Sequence, residues 1–404
     1  VDAAYYGIPV AIWFYIIAFI VIWTLALLFK DKLKIDITGP LLMRRTTRLR
    51  DFIDSIAQKS PRFWKVLMNI GIPVAVFFMI LILYLLASSL WSTINALIFV
   101  SHAAAQATSG GVAIVLPGVD TGSGIPVPLG YGLIGLITVI VVHEFAHGIL
   151  ARVEGIKIKS IGLLLLAILP GAFVEPDPEG VKKSSRLSKL RIYAAGSIFN
   201  IGLAAIALAI TLLLSTFFIG PSFDSNGLEV VSTMDKTPAD GVLKEGMIIT
   251  NINGHEIKNR TDFTDTLNKT KPGDVLTLKT DQGTFKIKTT NNPQNSSISY
   301  VGVRTKEHLV LKEDVSSKYG NILPWIMYSL SDLFFWIFFL NFGIGTFNLI
   351  PAKPLDGGLI LEELLKYRLS EDLSNKITLA VSIFSAALVV TTISLGAMLT
   401  SNLI

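Results

Sequence analysis

The chain has 404 residues, 51% hydrophobic and only 16% charged, a balance that excludes an ordinary soluble protein. Its net charge of +5 is modest, and no basic stripe with interleaved aromatics argues for nucleic acid. There is no cysteine, so disulfides and thiolate ligands are excluded and any metal must be held by His, Asp or Glu.

A first residue of Val leaves the natural start of the chain open. Residues 9–29 are too long an apolar run for a signal-peptide core and read as a membrane anchor. Residues 30–65 carry ten basic and four acidic side chains, Arg44, Arg45, Arg48 and Arg50 among them. A second span lies within 66–100, long enough for a tilted crossing plus an extra helical piece. The next loop, 101–130, has no Lys or Arg. The positive-inside rule therefore places 30–65 in the cytoplasm and 101–130 outside. The basic segment also reads as a lipid-binding amphipathic arm on that same face. Further apolar runs predict spans at about 131–151, 192–219, 322–350 and 377–399, six in all, with both termini outside.

The third span contains His143-Glu144-Phe145-Ala146-His147. On a helix, residues four apart share a face, so the two imidazoles can grip one metal ion. Glu144 beside them can take a proton from an attacking water. Three ionisable side chains in an apolar span cost on the order of a few kcal/mol per charge at the bilayer centre, which disfavours chance placement. The bland alternative is a pair of interfacial histidines with a snorkelling glutamate.

Between the third and fourth spans, residues 161–169 are apolar but too short to cross a membrane. They end in Pro170-Gly171 and precede the acidic Glu175-Pro176-Asp177-Pro178-Glu179. A hairpin or re-entrant element is the natural reading, with 161–169 expected to serve as an edge strand for an unwound substrate. From about Pro221 to Lys312, charge, Asn, Thr and Gly rise and apolar residues alternate. Residues 275–279 and 284–288 predict strands joined at a turn, Asp281-Gln282-Gly283. This soluble, strand-rich insert falls outside by topology.

A catalytic zinc usually takes three protein ligands and keeps one position for water. Asp356 is the candidate third ligand, at the end of the fifth span and the same expected cytoplasmic level as His143. It sits in Asn348-Leu349-Ile350-Pro351-Ala352-Lys353-Pro354-Leu355-Asp356-Gly357-Gly358. Prolines and glycines break the helix there, so the carboxylate can turn inward. Taken alone, Leu355-Asp356-Gly357-Gly358 is also an ordinary turn.

Together these motifs resemble the site-2 protease family of intramembrane zinc metalloproteases. His143-Glu144-Phe145-Ala146-His147-Gly148 matches the family's HExxHG. Asn348-Leu349-Ile350-Pro351 followed by Pro354-Leu355-Asp356-Gly357-Gly358 is similar to its NxxPxxxLDGG. Ala195-Gly196-Ser197-Ile198-Phe199-Asn200 resembles its small-residue and asparagine motif, with Ser197 where proline is common. The run from Pro170 to Pro176 fits the membrane-associated β element of one branch, so Glu175 is read as structural. Lys236 to Gly254 resembles the core of a PDZ domain, a module that binds extended peptides by strand addition.

The resemblance implies Zn²⁺ held by His143, His147 and Asp356, with Glu144 as catalytic base. It implies substrate or oxyanion contacts at Asn200 and Asn348, for which bonding between helices is the other reading. Substrates would be membrane-spanning proteins or peptides met in the lipid bilayer, and the PDZ-like insert would bind a peptide or act as a size filter. The expected fold is a polytopic α-helical membrane protein with about six transmembrane helices, a membrane-associated β element and an inserted soluble PDZ-like α+β domain. Its expected divisions are 1–130 (membrane helices and basic segment), 131–220 and 316–376 (the two halves of the protease core), 221–315 (the insert) and 377–404 (a last helix). A multi-pass protein of the cell membrane is expected, its active site toward the cytoplasm and its insert outside. Two other classes stay open: a catalytically silent scaffold that binds peptides through its insert, and a zinc transporter or sensor. A transporter would repeat its ligands across several spans, whereas His102, His255 and His308 fall in segments expected outside.

Overall fold

The computed structural model describes residues 4–5, 8–47, 49–99, 115–119, 127–167, 169–234, 236–292 and 295–400. Most of the expected outer loop at 101–130, with His102, lies outside the described residues. Among the described residues, six helices are long and apolar enough to cross a membrane. They are α1 (Val10–Leu33), α2 (Pro61–Phe99), α3 (Leu129–Val153), α4 (Arg186–Leu214), α5 (Ile322–Phe347) and α6 (Glu371–Thr400). A π turn, Ser215–Ile219, and a short helix, Gly220–Ser222, continue α4. The chain divides into two compact units, one mainly Thr211–Ser331, the other Asp2–Ile94, Thr108–Ile210 and Asp332–Ile404.

The larger unit holds the HEFAH helix α3 and a four-stranded antiparallel sheet, β1 (Ile35–Thr38), β2 (Leu41–Thr46), β3 (Ile158–Leu166) and β4 (Leu169–Pro176), in that spatial order. Two expectations change here. The basic segment is not a free amphipathic arm, because it supplies β1, β2 and then the helix Arg50–Lys59. In that helix Ile53 and Ala57 are fully buried, in one core with Leu150, Ile158, Ile161, Val174 and Leu190. Nor is the apolar run at 161–166 an edge. It pairs with β2 on one side (Leu42↔Leu165, Arg44↔Leu163) and β4 on the other (Ile161↔Val174, Leu163↔Ala172). The edge is β4. The sequence shows the apolar run but not the strands that pair with it on both sides.

Polar groups join the helices where they leave the apolar zone. Arg152 near the end of α3 pairs with Asp54. Glu154, just past α3, accepts hydrogen bonds from Ser188 Oγ at 2.6 Å and Arg191 Nη1 at 2.8 Å, with Lys65 Nζ at 3.7 Å. Burial pushes this carboxyl up, but the bonds from Ser188 and Arg191 and the charges of Lys65 and Arg191 outweigh it and hold it below the usual range. Deeper in, Asn341 Nδ2 of α5 donates to Thr138 Oγ1 of α3 at 2.9 Å.

The smaller unit is β-rich, as its alternation predicts. Its main strands are β5 (Phe223–Thr233), β6 (Ile248–Ile252), β7 (Val275–Thr280), β8 (Gly283–Lys288) and β9 (Val303–Leu311), in the antiparallel order β8-β7-β6-β5-β9. The hairpin β7–β8 closes at Thr280↔Gly283, so Asp281-Gln282 forms the turn. Leu228, Val230, Ile249, Ile252, Leu276, Leu278 and Ile287 make its core. The helix Arg260–Asn268 starts at a reciprocal cap between Asn259 and Asp262.

Close packing within the larger sheet gives a direct test. A Cβ at Gly162 would lie 2.4 Å from the Phe173 ring and 2.7 Å from the Arg44 carbonyl oxygen, whereas one at Gly130 meets nothing within 4 Å. Gly162→Ala is expected to destabilise the protein by about 1–3 kcal/mol. Gly130→Ala should leave the thermal unfolding midpoint of the detergent-solubilised protein nearly unchanged.

Candidate metal centre

The site is built on the helical spacing of α3. His143 and His147 stand one turn apart, their Nε2 atoms 3.2 Å from each other. Asp356 reaches both, with Oδ1 3.4 Å from His147 Nε2 and Oδ2 3.6 Å from His143 Nε2. These three side chains are the group of metal-ligating type found among the described residues. Asp356 is buried although it opens a short helix, Asp356–Leu365.

Sequence-local folding explains how Asp356 arrives there. The segment after α5 turns back on itself, and Gly357 N–H donates to the Asn348 carbonyl at 2.9 Å. A Cβ at Gly357 would lie 2.1 Å from the Leu349 oxygen, and one at Gly358 would lie 2.5 Å from Lys353 N. The two glycines thus let the loop press against the start of the helix. Ion pairs anchor that helix: Lys353 and Lys366 with Glu362, and Lys366 and Lys189 with Glu363.

Helix α4 forms the back wall. His147 Nδ1–H donates to the Ile192 carbonyl at 2.7 Å, which leaves Nε2 as the lone-pair nitrogen. A Cβ at Gly196 would sit 2.5 Å from both His143 Cε1 and His147 Nε2, so this position has room only for glycine. Ser197 Oγ donates to Asp356 Oδ2 at 2.9 Å. Asn200 Nδ2 lies 3.4 Å from His143 Nδ1, and its Oδ1 is buried without a partner. Turned about its amide, Asn200 would present Oδ1 to an Nδ1–H of His143, satisfying that oxygen and freeing Nε2 of its proton.

Glu144 is the remaining member of the motif. Its Oε2 accepts from the Val174 N–H of β4 at 3.1 Å, and it lies in electrostatic contact with His147 and Asp356. Glu175, set aside from the sequence as structural, accepts instead from Ser160 Oγ at 2.6 Å and faces Arg45. Asn348 closes α5, where its backbone N–H donates to Ile344 and its carbonyl holds Gly357. The sequence reading missed two partners. Val174 N–H carries no side-chain signal, and Ser197 stood out only as a departure from proline.

The donor set fits a tetrahedral zinc. Ligands at about 2.0–2.1 Å from zinc lie roughly 3.3 Å from one another in that geometry. The separations of 3.2, 3.4 and 3.6 Å agree with it. Two imidazoles and a carboxylate are borderline-hard donors suited to the ion, and the orphaned Asn200 Oδ1 has its use once His143 ligates through Nε2.

Residues 131–392 match Peptidase family M50, a stretch that includes both halves of the site. A Methanocaldococcus jannaschii protein named only as uncharacterized protein MJ0971 is 33% identical over 59% of this chain and 58% of its own length. A membrane-bound transcription factor site-2 protease homolog of Arabidopsis thaliana is 27% identical over 33% of this chain and 26% of its own. The chain therefore spans less than two thirds of either relative. A Clostridium perfringens protein provisionally named a zinc metalloprotease, CPE1693, is 23% identical over 62% of this chain and 92% of its own. Among solved structures, the PDZ domain of an SdrC-like protein from Listeria monocytogenes is 27% identical over 22% of this chain and 92% of its own, with a TM-score of 0.18. With that match running over most of its length, the chain belongs to Peptidase family M50, the site-2 protease family.

Proposed function

We propose that this chain is an intramembrane zinc metalloprotease that hydrolyses peptide bonds within or near the transmembrane segments of membrane-tethered proteins. The observation that carries this reading is the convergence of His143, His147 and Asp356 beside Glu144, in a chain with six helices able to cross a membrane.

His143, His147 and Asp356 would hold Zn²⁺, which when bound supplies a Lewis acid that polarises a carbonyl and acidifies water. Glu144 takes the proton of the attacking water and passes it to the leaving amine. The bond from Val174 N–H to Oε2 orients that carboxylate and leaves Oε1 for the proton transfer. Asn348 offers its side-chain amide to substrate or to the developing oxyanion. Asn200 faces His143 Nδ1 and steadies that ring, and substrate contact is a second use for its amide.

A peptide bond in a membrane helix is already hydrogen-bonded, so the substrate must unwind before attack. The edge strand β4 is suited to receive it. Val174 N–H points away from β3 toward Glu144, and Ala172, two residues earlier, directs its backbone the same way. The Lys and Arg bias supports an active site toward the cytoplasm and an insert outside. The insert would bind an extended peptide or exclude substrates with bulky outer domains.

Glu144→Gln is expected to lower cleavage of tagged single-span proteins in proteoliposomes by about 10²–10⁴-fold while zinc content stays at the wild-type level. A scaffold or transporter would keep its function in that variant. Asp356→Ala and Gly196→Ala should both lose zinc on metal analysis of the purified protein, the first by removing a ligand, the second by pushing the imidazoles apart. A wild-type protein that takes up no zinc when supplied with it would refute the site. Ala172→Pro should slow turnover and leave zinc binding intact, since the N–H it removes faces away from the hairpin; unaltered turnover would exclude strand pairing at β4.

A further inference from the structure

We infer that Ser197 is the positioning residue for Asp356: its hydroxyl sets the orientation of the carboxylate that completes the metal site. The inference rests on the proposed zinc site and deepens it.

Ser197 is fully buried in α4, and Asp356 is buried opposite it. A hydroxyl in an apolar interior must find an acceptor or lose its hydration without return. A serine within a helix usually turns back to the carbonyl one turn before it. Here Ser197 Oγ instead crosses to Asp356 Oδ2 at 2.9 Å, a partner 159 positions away. A serine hydroxyl has a single proton to give. Donated to Oδ2, which also lies 3.6 Å from His143 Nε2, it restrains rotation of the carboxylate and leaves Oδ1, 3.4 Å from His147 Nε2, outside that bond.

The neighbours of Ser197 strengthen the assignment. Ile192, Gly196 and Asn200 recur every four residues on one face of α4, and Ser197 adjoins that line. From this face the Ile192 carbonyl receives His147 Nδ1–H, Gly196 leaves space for both rings, and Asn200 meets His143 Nδ1. Helix α4 therefore gives each of the three ligands its own outer partner and supplies no ligand itself. Ser197 is the partner of the one ligand that carries charge.

The test measures zinc affinity by chelator competition on the full-length protein in detergent, with the visible spectrum of the Co²⁺-substituted form as a second readout. Removing a hydrogen bond to a metal ligand typically costs 10–100-fold in affinity. Ser197→Ala is expected to weaken zinc binding by that factor and shift the Co²⁺ spectrum, and Ser197→Thr, which restores a hydroxyl, should recover most of both. Should Ser197→Ala fail to fold, Ser197→Cys, nearly the same shape with a weak donor, carries the test and is expected to show the same loss in smaller measure. Wild-type affinity and an unchanged spectrum in Ser197→Ala or Ser197→Cys would overturn the inference, as would Ser197→Thr binding no better than Ser197→Ala. Failure of the wild type to bind zinc would instead remove the site itself, so the two failures are distinguishable.

Discussion

Placing ionisable groups in a bundle of apolar helices is the constraint from which the rest of this structure follows. Asp356 and both histidines of the triad lie against helices that offer almost no water-like partners. An unpaired buried charge is strongly destabilising, so every ligand must be satisfied from the surrounding chain. The structure meets that demand with few groups. The Ile192 carbonyl accepts from one imidazole N–H, the Ser197 hydroxyl donates to one carboxylate oxygen, and the Val174 N–H donates to an oxygen of Glu144. A cation ligated by all three side chains would complete the compensation.

Satisfying the ligands requires the helices to come close, and close approach in a membrane relies on small residues. Gly196 lets α4 lie against both imidazoles. At Gly345 of α5, an added Cβ would lie 3.0 Å from Asn200 Cβ, and at Gly135 of α3 one would lie 2.6 Å from Leu340 Cδ1. These three glycines let α3, α4 and α5 approach one another at successive levels. Gly357 and Gly358 then allow the segment after α5 to fold tightly enough to turn Asp356 into it. The same residues that look like mere spacers in the sequence therefore determine whether the ligands can meet.

Much of this was legible in advance, for physical reasons that also mark where legibility ended. Apolar length identifies a span because the bilayer sets its minimum, and four-residue spacing identifies the histidine pair because a helix sets its pitch. Asp356 was legible from its glycines and prolines and from its expected depth. The sheet was only half legible. Residues 161–169 showed an apolar run, but Leu41-Leu42-Met43-Arg44-Arg45-Thr46 has no alternation to announce the strand that pairs with it. Its arginines suggested a surface arm, whereas Arg45 lies over the Phe173 ring and pairs with Asp36 and Glu175. The edge was therefore assigned to the wrong strand. Ser197 illustrates the same limit at one residue: the sequence shows a hydroxyl in an apolar helix, which implies that a partner exists, but not that it lies on a segment beyond the inserted unit.

The position of β4 at the edge also decides what the sheet can do. Had β3 been the edge, substrate pairing and catalysis would be served by separate elements. With β4 as the edge, the strand proposed to receive an unwound peptide is the strand whose Val174 N–H holds Glu144. Because backbone groups alternate along a strand, Ala172 and Val174 face the same side, and a peptide laid beside Ala172 extends along the line that ends at the base. Register and reactivity are then set by one piece of backbone. A sheet edge open to lipid would leave backbone groups unsatisfied. A hairpin flanked by β2, packed on α3 and tied at its edge to the carboxylate can present an edge there without leaving it wholly unpaired.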